Sequence, residues 1–215
     1  MNSQFGQPRR LPRQERSRLM VRRILDAARD VLIDRGYEGA STNRIAEVAG
    51  ISPGSLYQYF PNKDVIIAAV IDDYTDDIAR TVTSHIAQHI GTPDELAILR
   101  ETLDVLLDAM EEQPELLRAL IEHVPRLGLG DKTTDFEQRV GQLAIVHLRL
   151  RSQAAKHTET IVWIAVRAVE HLMVRYVLDQ PPIDRNEFLD ELTLMLGTYM
   201  NATRLPDPAN PPDAR

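Results

Sequence analysis

Residues 42–63, TNRIAEVAGISPGSLYQYFPNK, carry side chains whose types and spacing suit contact with a polyanion. On a helix at about 100° per residue, Leu56 and Phe60 mark the buried side of the second half of this stretch. Gly54, Ser55 and Gln58 then face the opposite way, and Tyr57 and Tyr59 project to the two flanks. Small and amide side chains suit base edges in a major groove, and phenol hydroxyls suit the phosphate walls beside it. Gln58 can read adenine, although an idle surface glutamine fits the same position. Lys63 follows at the start of the next helix, where an ammonium and free N–H groups can both face a phosphate.

Two short helices at a fixed angle would hold such a set. Ile45, Ala46 and Ala49 form one apolar stripe at helical period, and Leu56 and Phe60 form a second. Between them, Gly50 can take the positive φ that ends the first helix. Ser52 can cap the second, with Pro53 at its first position, where a missing N–H costs nothing. Ala46 is small enough for the helices to cross closely. Cap, turn, core pair and outward polar set agree on a helix-turn-helix rather than a plain helical hairpin with idle tyrosines.

The charge distribution supports contact with DNA. The 215 residues are 43% apolar and 27% charged, with a net charge of −7. Residues 1–63 hold 11 Lys/Arg against 6 Asp/Glu, however, whereas residues 64–215 hold 14 against 26. The basic excess coincides with the motif, and the acidic remainder can limit non-specific association with DNA. The absence of cysteine excludes disulfides and thiolate metal sites and suits a reducing cytoplasm. No apolar run approaches the ~20 residues that span a bilayer, and the N-terminus lacks the apolar segment of a secretory signal. The expected location is cytoplasmic.

Residues 1–15 read as a flexible basic arm. Its Arg9, Arg10 and Arg13 can enter a minor groove, or the arm can be solvated without fixed contacts. From Arg16 to Arg35, Met20, Ile24, Ala27, Ala28, Val31 and Leu32 follow helical period, and Gly36 ends the helix. Ser41 or Thr42 caps the first motif helix, so residues 16–62 form a three-helix DNA-binding domain. A long helix over 63–90 opens a larger helical domain, 63–205, with Thr92 able to cap the next helix. Further helices are expected at 93–112, 114–123, 133–155, 158–179 and 184–202, and the proline-rich 206–215 as a disordered tail. No strand pattern or solenoid repeat occurs. The fold class is all-α.

Two late helices are apolar on more than one face. In 158–179, Ile161, Ile164, Ala165, Ala168 and Leu172 form one stripe, and Val162, Val166, Val169, Met173 and Tyr176 a second. The helix 184–202 is similarly broad, with Leu192, Leu196 and Tyr199 among its apolar residues. One face can meet the core, and the other is expected at a twofold homodimer interface, assigned to Val162, Val166, Val169, Met173, Tyr176, Leu192, Leu196 and Tyr199. A helix central to one subunit is the alternative.

Residues 16–64 resemble the DNA-binding domain of TetR/AcrR-type bacterial transcriptional repressors. The likeness lies in Ala27-Ala28, Gly36-Tyr37, Ile45-Ala46, Ala49-Gly50, Gly54-Ser55-Leu56-Tyr57, Tyr59-Phe60 and Lys63-Asp64, about a quarter of the chain. The rest resembles the family in being helical, acidic and of suitable length. The resemblance implies an Ω-shaped homodimer, with three helices on DNA and a larger domain that binds a small ligand and dimerises through its last two long helices. It implies DNA contacts from Thr42 and Arg44, and from Ser52, Pro53, Gly54 and Ser55. Tyr57, Tyr59 and Lys63 would hold phosphates. Two recognition helices related by a dyad fit grooves about 34–36 Å apart, so the operator should be a palindrome. A small, mainly apolar effector would favour another spacing and release it.

The effector pocket should lie among the middle helices, where Met110, Phe136, His147, Trp163 and His171 are candidate wall residues, though each also suits plain core. His85 and His89 stand at i, i+4, a spacing that can hold a metal. No neighbouring Glu-x-x-His or cysteine completes a site in sequence, so the pair reads as solvated or satisfied and no metal is expected. No phosphate loop, nucleophile elbow or cofactor motif supports an enzyme. A DNA-binding activator or architectural protein without ligand is the remaining alternative.

Overall fold

The computed structural model describes residues 13–89, 94–127 and 157–202, with residues 138, 140–142 and 145. Residues 1–12, most of the helix expected at 133–155, and the tail 206–215 lie outside the described residues. Eight helices have described bounds: α1 (Arg13–Gly39), α2 (Thr42–Val48), α3 (Pro53–Tyr57), α4 (Lys63–Gln88), α5 (Glu95–Glu111), α6 (Pro114–Leu127), α7 (Thr158–Asp179) and α8 (Arg185–Ala202). No strand occurs among the described residues, and none of their helices is long and apolar enough to cross a membrane. The chain divides into two compact units between Ile71 and Asp72, with the first turns of α4 in the first unit.

In the first unit, α1 already begins at Arg13 and breaks at Gly36, whose φ of 64° and ψ of 179° suit only glycine. Ile24, Ala28, Val31 and Leu32 bury its inner face against Ile45, Ala46, Leu56 and Phe60, and Ile66 and Ile67 of α4 add to the core. The α1–α4 clasp is polar. Tyr37 Oη donates to Asp64 Oδ1 at 2.6 Å. Lys63 Nζ donates to the Tyr37 and Ala40 carbonyls at 3.0 and 3.3 Å, and lies 4.3 Å from the Tyr37 ring centre.

The second unit is built around α5 and α8. Asp94, rather than Thr92, caps α5 by accepting from the Ala97 N–H at 3.0 Å. Asp184 does the same for α8, accepting from Asn186 at 2.8 Å and Glu187 at 3.2 Å. Leu103, Leu107, Leu189, Leu192 and Leu196 are buried on these helices. Along the rim, Arg100 pairs with Asp190 at 2.7 Å, and Arg185 meets Asp104, Asp108 and Glu111. Such partly exposed pairs contribute about 0–1 kcal/mol each, so they fix the register of α8 on α5 more than they stabilise it.

Candidate nucleic-acid interface and effector cavity

The turn between α2 and α3 follows from backbone hydrogen bonding. Gly50, at φ 62°, donates to the Glu47 carbonyl at 3.0 Å, and Ile51 donates to the Ala46 carbonyl at 2.9 Å. This pair of bonds is a Schellman cap with glycine in its left-handed position. A Cβ at Gly50 would also stand 2.7 Å from the Arg23 guanidinium. Ser41 caps α2, accepting from the Arg44 N–H at 3.3 Å. Ser52 caps α3, accepting from the Ser55 N–H at 3.1 Å, with its hydroxyl 2.9 Å from that of Ser55.

Helix α3 is only five residues long, and Gln58 and Tyr59 continue it as a helical turn, with Tyr59 N–H donating to the Leu56 carbonyl at 2.9 Å. Leu56 and Phe60 are buried. Gly54, Tyr57 and Gln58 are exposed, Ser52 and Pro53 are exposed beside them, and Ser55 and Tyr59 are half-buried. The Thr42 and Tyr57 hydroxyls lie 3.0 Å apart, which ties the start of α2 to the end of α3. The Arg44 guanidinium donates to the Gly39 carbonyl. Lys63, expected on a phosphate, spends two of its three N–H donors on the carbonyls of the α1–α2 link. The side chain thereby ties the start of α4 to the end of α1.

Within the second unit, α4, α5, α7 and α8 surround a cavity of about 190 Å³. Val82, Ile86, Ile98, Leu99, Leu103, Leu106, Met110, Val162, Ala165, Val166, Val169 and Leu196 line it. Its polar lining among the described residues is Thr102, Glu95 and Glu170. Thr102 already donates to the Ile98 carbonyl at 2.7 Å, and Glu170 accepts from Arg167 at 3.1 Å. This wall can hold an apolar molecule and offers it few polar anchors.

Comparison with known proteins accounts for both units. A model described as bacterial regulatory proteins, tetR family, matches residues 24–70, and one described as a tetracyclin repressor-like C-terminal domain matches residues 97–200. The chain belongs to the TetR family. It is 32% identical over 114 residues, 53% of its length, to the transcriptional activator FasR of Mycolicibacterium smegmatis. The match spans 49% of that relative, about half its length. A TetR-family regulator of Mesorhizobium loti shares the fold, with a TM-score of 0.70 at 19% identity over 87% of this chain and 98% of the other. So does Thermus thermophilus FadR, a TetR-family repressor solved in complex with lauroyl-CoA, with a TM-score of 0.62 at 17% identity over 90% and 100% of the two chains.

In this TetR-family chain, several expected residues lie elsewhere than their stripes suggested. Of the expected pocket residues, Met110 lines the cavity; Trp163 and His171 are exposed, Trp163 by 63%; Phe136 and His147 lie outside the described residues. Both stripes of α7 contribute to the interior, since Ile161 is buried and Ala165 lines the cavity. Val162, Val166 and Val169 line the cavity, Met173, Leu192 and Leu196 are buried within the chain, and Tyr199 is half-buried. Tyr176 stacks on Phe188 at 4.2 Å and donates to the Ile183 carbonyl at 3.1 Å. Trp163, Ile164 and Leu172 of α7, with Leu194 and Met195 of α8, face solvent instead. A doubly apolar helix has two candidate inner faces, and only the position of α5 decides between them.

The histidine pair also differs from its sequence reading. Glu101 of α5 comes alongside His85 and His89, with one donor atom of each of the three within 4.8 Å of the others. Glu101 lies sixteen positions after His85, so no local spacing could reveal it.

Proposed function

We propose that this chain is a dimeric, ligand-responsive transcriptional regulator that binds a palindromic operator through α2 and α3 and is released from it by an acyl-chain effector. The observation that carries the DNA reading is the set around α3: Gly54 and Gln58 exposed on the outer side of buried Leu56, with Ser55 beside them and the Tyr57 hydroxyl held by Thr42. Ser55 and Gln58 read base edges, and Thr42, Arg44, Ser52, Pro53, Tyr57 and Tyr59 lie along the phosphates. Lys63 adds positive potential.

The effector reading rests on the apolar cavity and on the FadR of similar fold that was solved with lauroyl-CoA. The described lining has two carboxylates and no cation, so a buried free carboxylate would lack a partner there. An acyl chain whose charged head stays outside fits this wall better than a free fatty acid. The dimer is expected through the exposed face of α7 and α8, where Trp163, Ile164, Leu172, Leu194 and Met195 leave apolar surface in water. Helix α4 is covalently continuous from the first unit into the cavity wall at Val82 and Ile86, and carries the coupling.

Footprinting on the chain's own upstream DNA should show a protected palindrome that an acyl-CoA removes, and a reporter gene should rise when acyl-CoA is supplied. Protection without symmetry would overturn the dimeric reading, and a reporter that falls would make the protein an activator, as FasR is named. Val166→Trp should fill the cavity, abolish the acyl-CoA-induced rise in thermal midpoint and leave the footprint intact. Trp163→Glu combined with Leu194→Lys should convert a dimer to a monomer in sedimentation; an unchanged mass would reject this face.

A further inference from the structure

His85, His89 and Glu101 are used by neither the operator nor the effector reading. His85 lies in the last turn of α4 and His89 just beyond its end, with the rings 4.4 Å between centres, and a Glu101 carboxylate oxygen lies 4.0 Å from His85 Nε2. That gap is too long for a hydrogen bond, and His85 Nε2 is buried with no hydrogen-bond partner. His89 Nδ1 lies 2.8 Å from the His85 carbonyl, which can only accept. Nδ1 therefore carries a hydrogen, and Nε2 is the ring atom left to bind an ion. A backbone carbonyl that fixes the tautomer and ring orientation in this way is the usual support of a metal-binding imidazole.

We propose that His85, His89 and Glu101 bind a divalent transition-metal ion of the zinc class, with water as the remaining ligand. Two imidazoles and one carboxylate form a zinc-type donor set, whereas magnesium and calcium favour oxygen donors. Bonds of about 2.0–2.2 Å in tetrahedral geometry place donors roughly 3.3 Å apart. The three side chains must therefore close by about an ångström, which the exposed Glu101 side chain allows. A cleft of about 430 Å³, bordered by Arg80, Ser84 and Gln88, lies beside His85. The positive charge of Arg80 is paired with Asp77. The ion would join α4 to α5, the two helices whose other residues, Val82 and Ile86 with Ile98 and Thr102, wall the apolar cavity.

The test uses the untagged, metal-stripped full chain, titrated with Zn²⁺ by calorimetry and with Co²⁺ by visible absorption. One ion per chain is expected, with a tetrahedral cobalt spectrum and a zinc-dependent rise in thermal midpoint. Glu101→Gln, exposed and harmless to folding, should weaken zinc at least tenfold; His89→Ala should do the same and lose the cobalt spectrum. His157→Ala, an exposed histidine just ahead of α7, should leave zinc binding unchanged. No saturable zinc binding, binding unchanged by Glu101→Gln and His89→Ala, or equally tight Mg²⁺ binding would each overturn the proposal. Footprinting plays no part in these readouts, so failure of the metal site and failure of the operator reading remain distinguishable.

Discussion

The α2–α3 hairpin and the α7–α8 pair solve opposite problems. Around α2 and α3, the groups that shape the turn are satisfied within a few residues, Ser41 and Ser52 by caps and Gly50 by a Schellman turn, and Thr42 meets Tyr57 within the same hairpin. The outward set follows once those bonds form. In α7 and α8, the same helix offers apolar side chains on both sides, and partners tens of residues distant decide which side is interior. Local hydrogen bonds therefore define the proposed nucleic-acid surface, whereas long-range packing defines a cavity and leaves an apolar face over. Errors of reading concentrate where the deciding partner is distant.

Substitutions can break or sharpen this contrast. The largest effects should come from core truncation in either region: Leu56→Ala and Met173→Ala each remove a fully buried side chain and should cost about 2–5 kcal/mol in denaturant unfolding. Only Leu56→Ala should also abolish operator binding, because Met173 supports the other unit. Lys63→Met comes next. It removes two charged hydrogen bonds to the α1–α2 link, and the loss should be about 1.5–3 kcal/mol. If stability held and DNA affinity fell, Lys63 would be a phosphate ligand and not a clasp.

Gly50→Ala should cost about 1–2 kcal/mol from the positive φ alone, with the Arg23 contact added. An unchanged unfolding midpoint would mean that the turn is less locally determined than its bonds suggest. The smallest expected effect on stability is that of Tyr57→Phe, at most about 1 kcal/mol, since its bond to Thr42 is exposed. Its effect on DNA should be larger than on folding: affinity for all sequences should fall together, with the salt dependence unchanged, because a neutral hydroxyl releases no counterion. Ser55→Ala and Gln58→Ala should alter preference among sequences instead.

The positions of Gly36, Ser41, Gly50, Ser52 and Pro53 were legible because each acts on the backbone next to it, through a dihedral, a cap or a missing N–H. Buried Leu56 and Phe60 and outward Gly54 and Gln58 were legible for a related reason: once the helix is granted, its period orients them. The helix bounds of α4, α5, α7 and α8 were likewise readable to within a few residues from periodicity and punctuation by glycine and proline. Other features depended on distant partners. Only packing against α5 turned Val162, Val166 and Val169 toward a cavity and Trp163, Ile164 and Leu172 toward solvent, because a helix apolar on two sides has no preferred inner face of its own. Only the approach of α1 to α4 placed the Lys63 ammonium on the Tyr37 and Ala40 carbonyls. Only the fold brought Glu101 beside His85 and His89, since neighbours on separate helices share no sequence period.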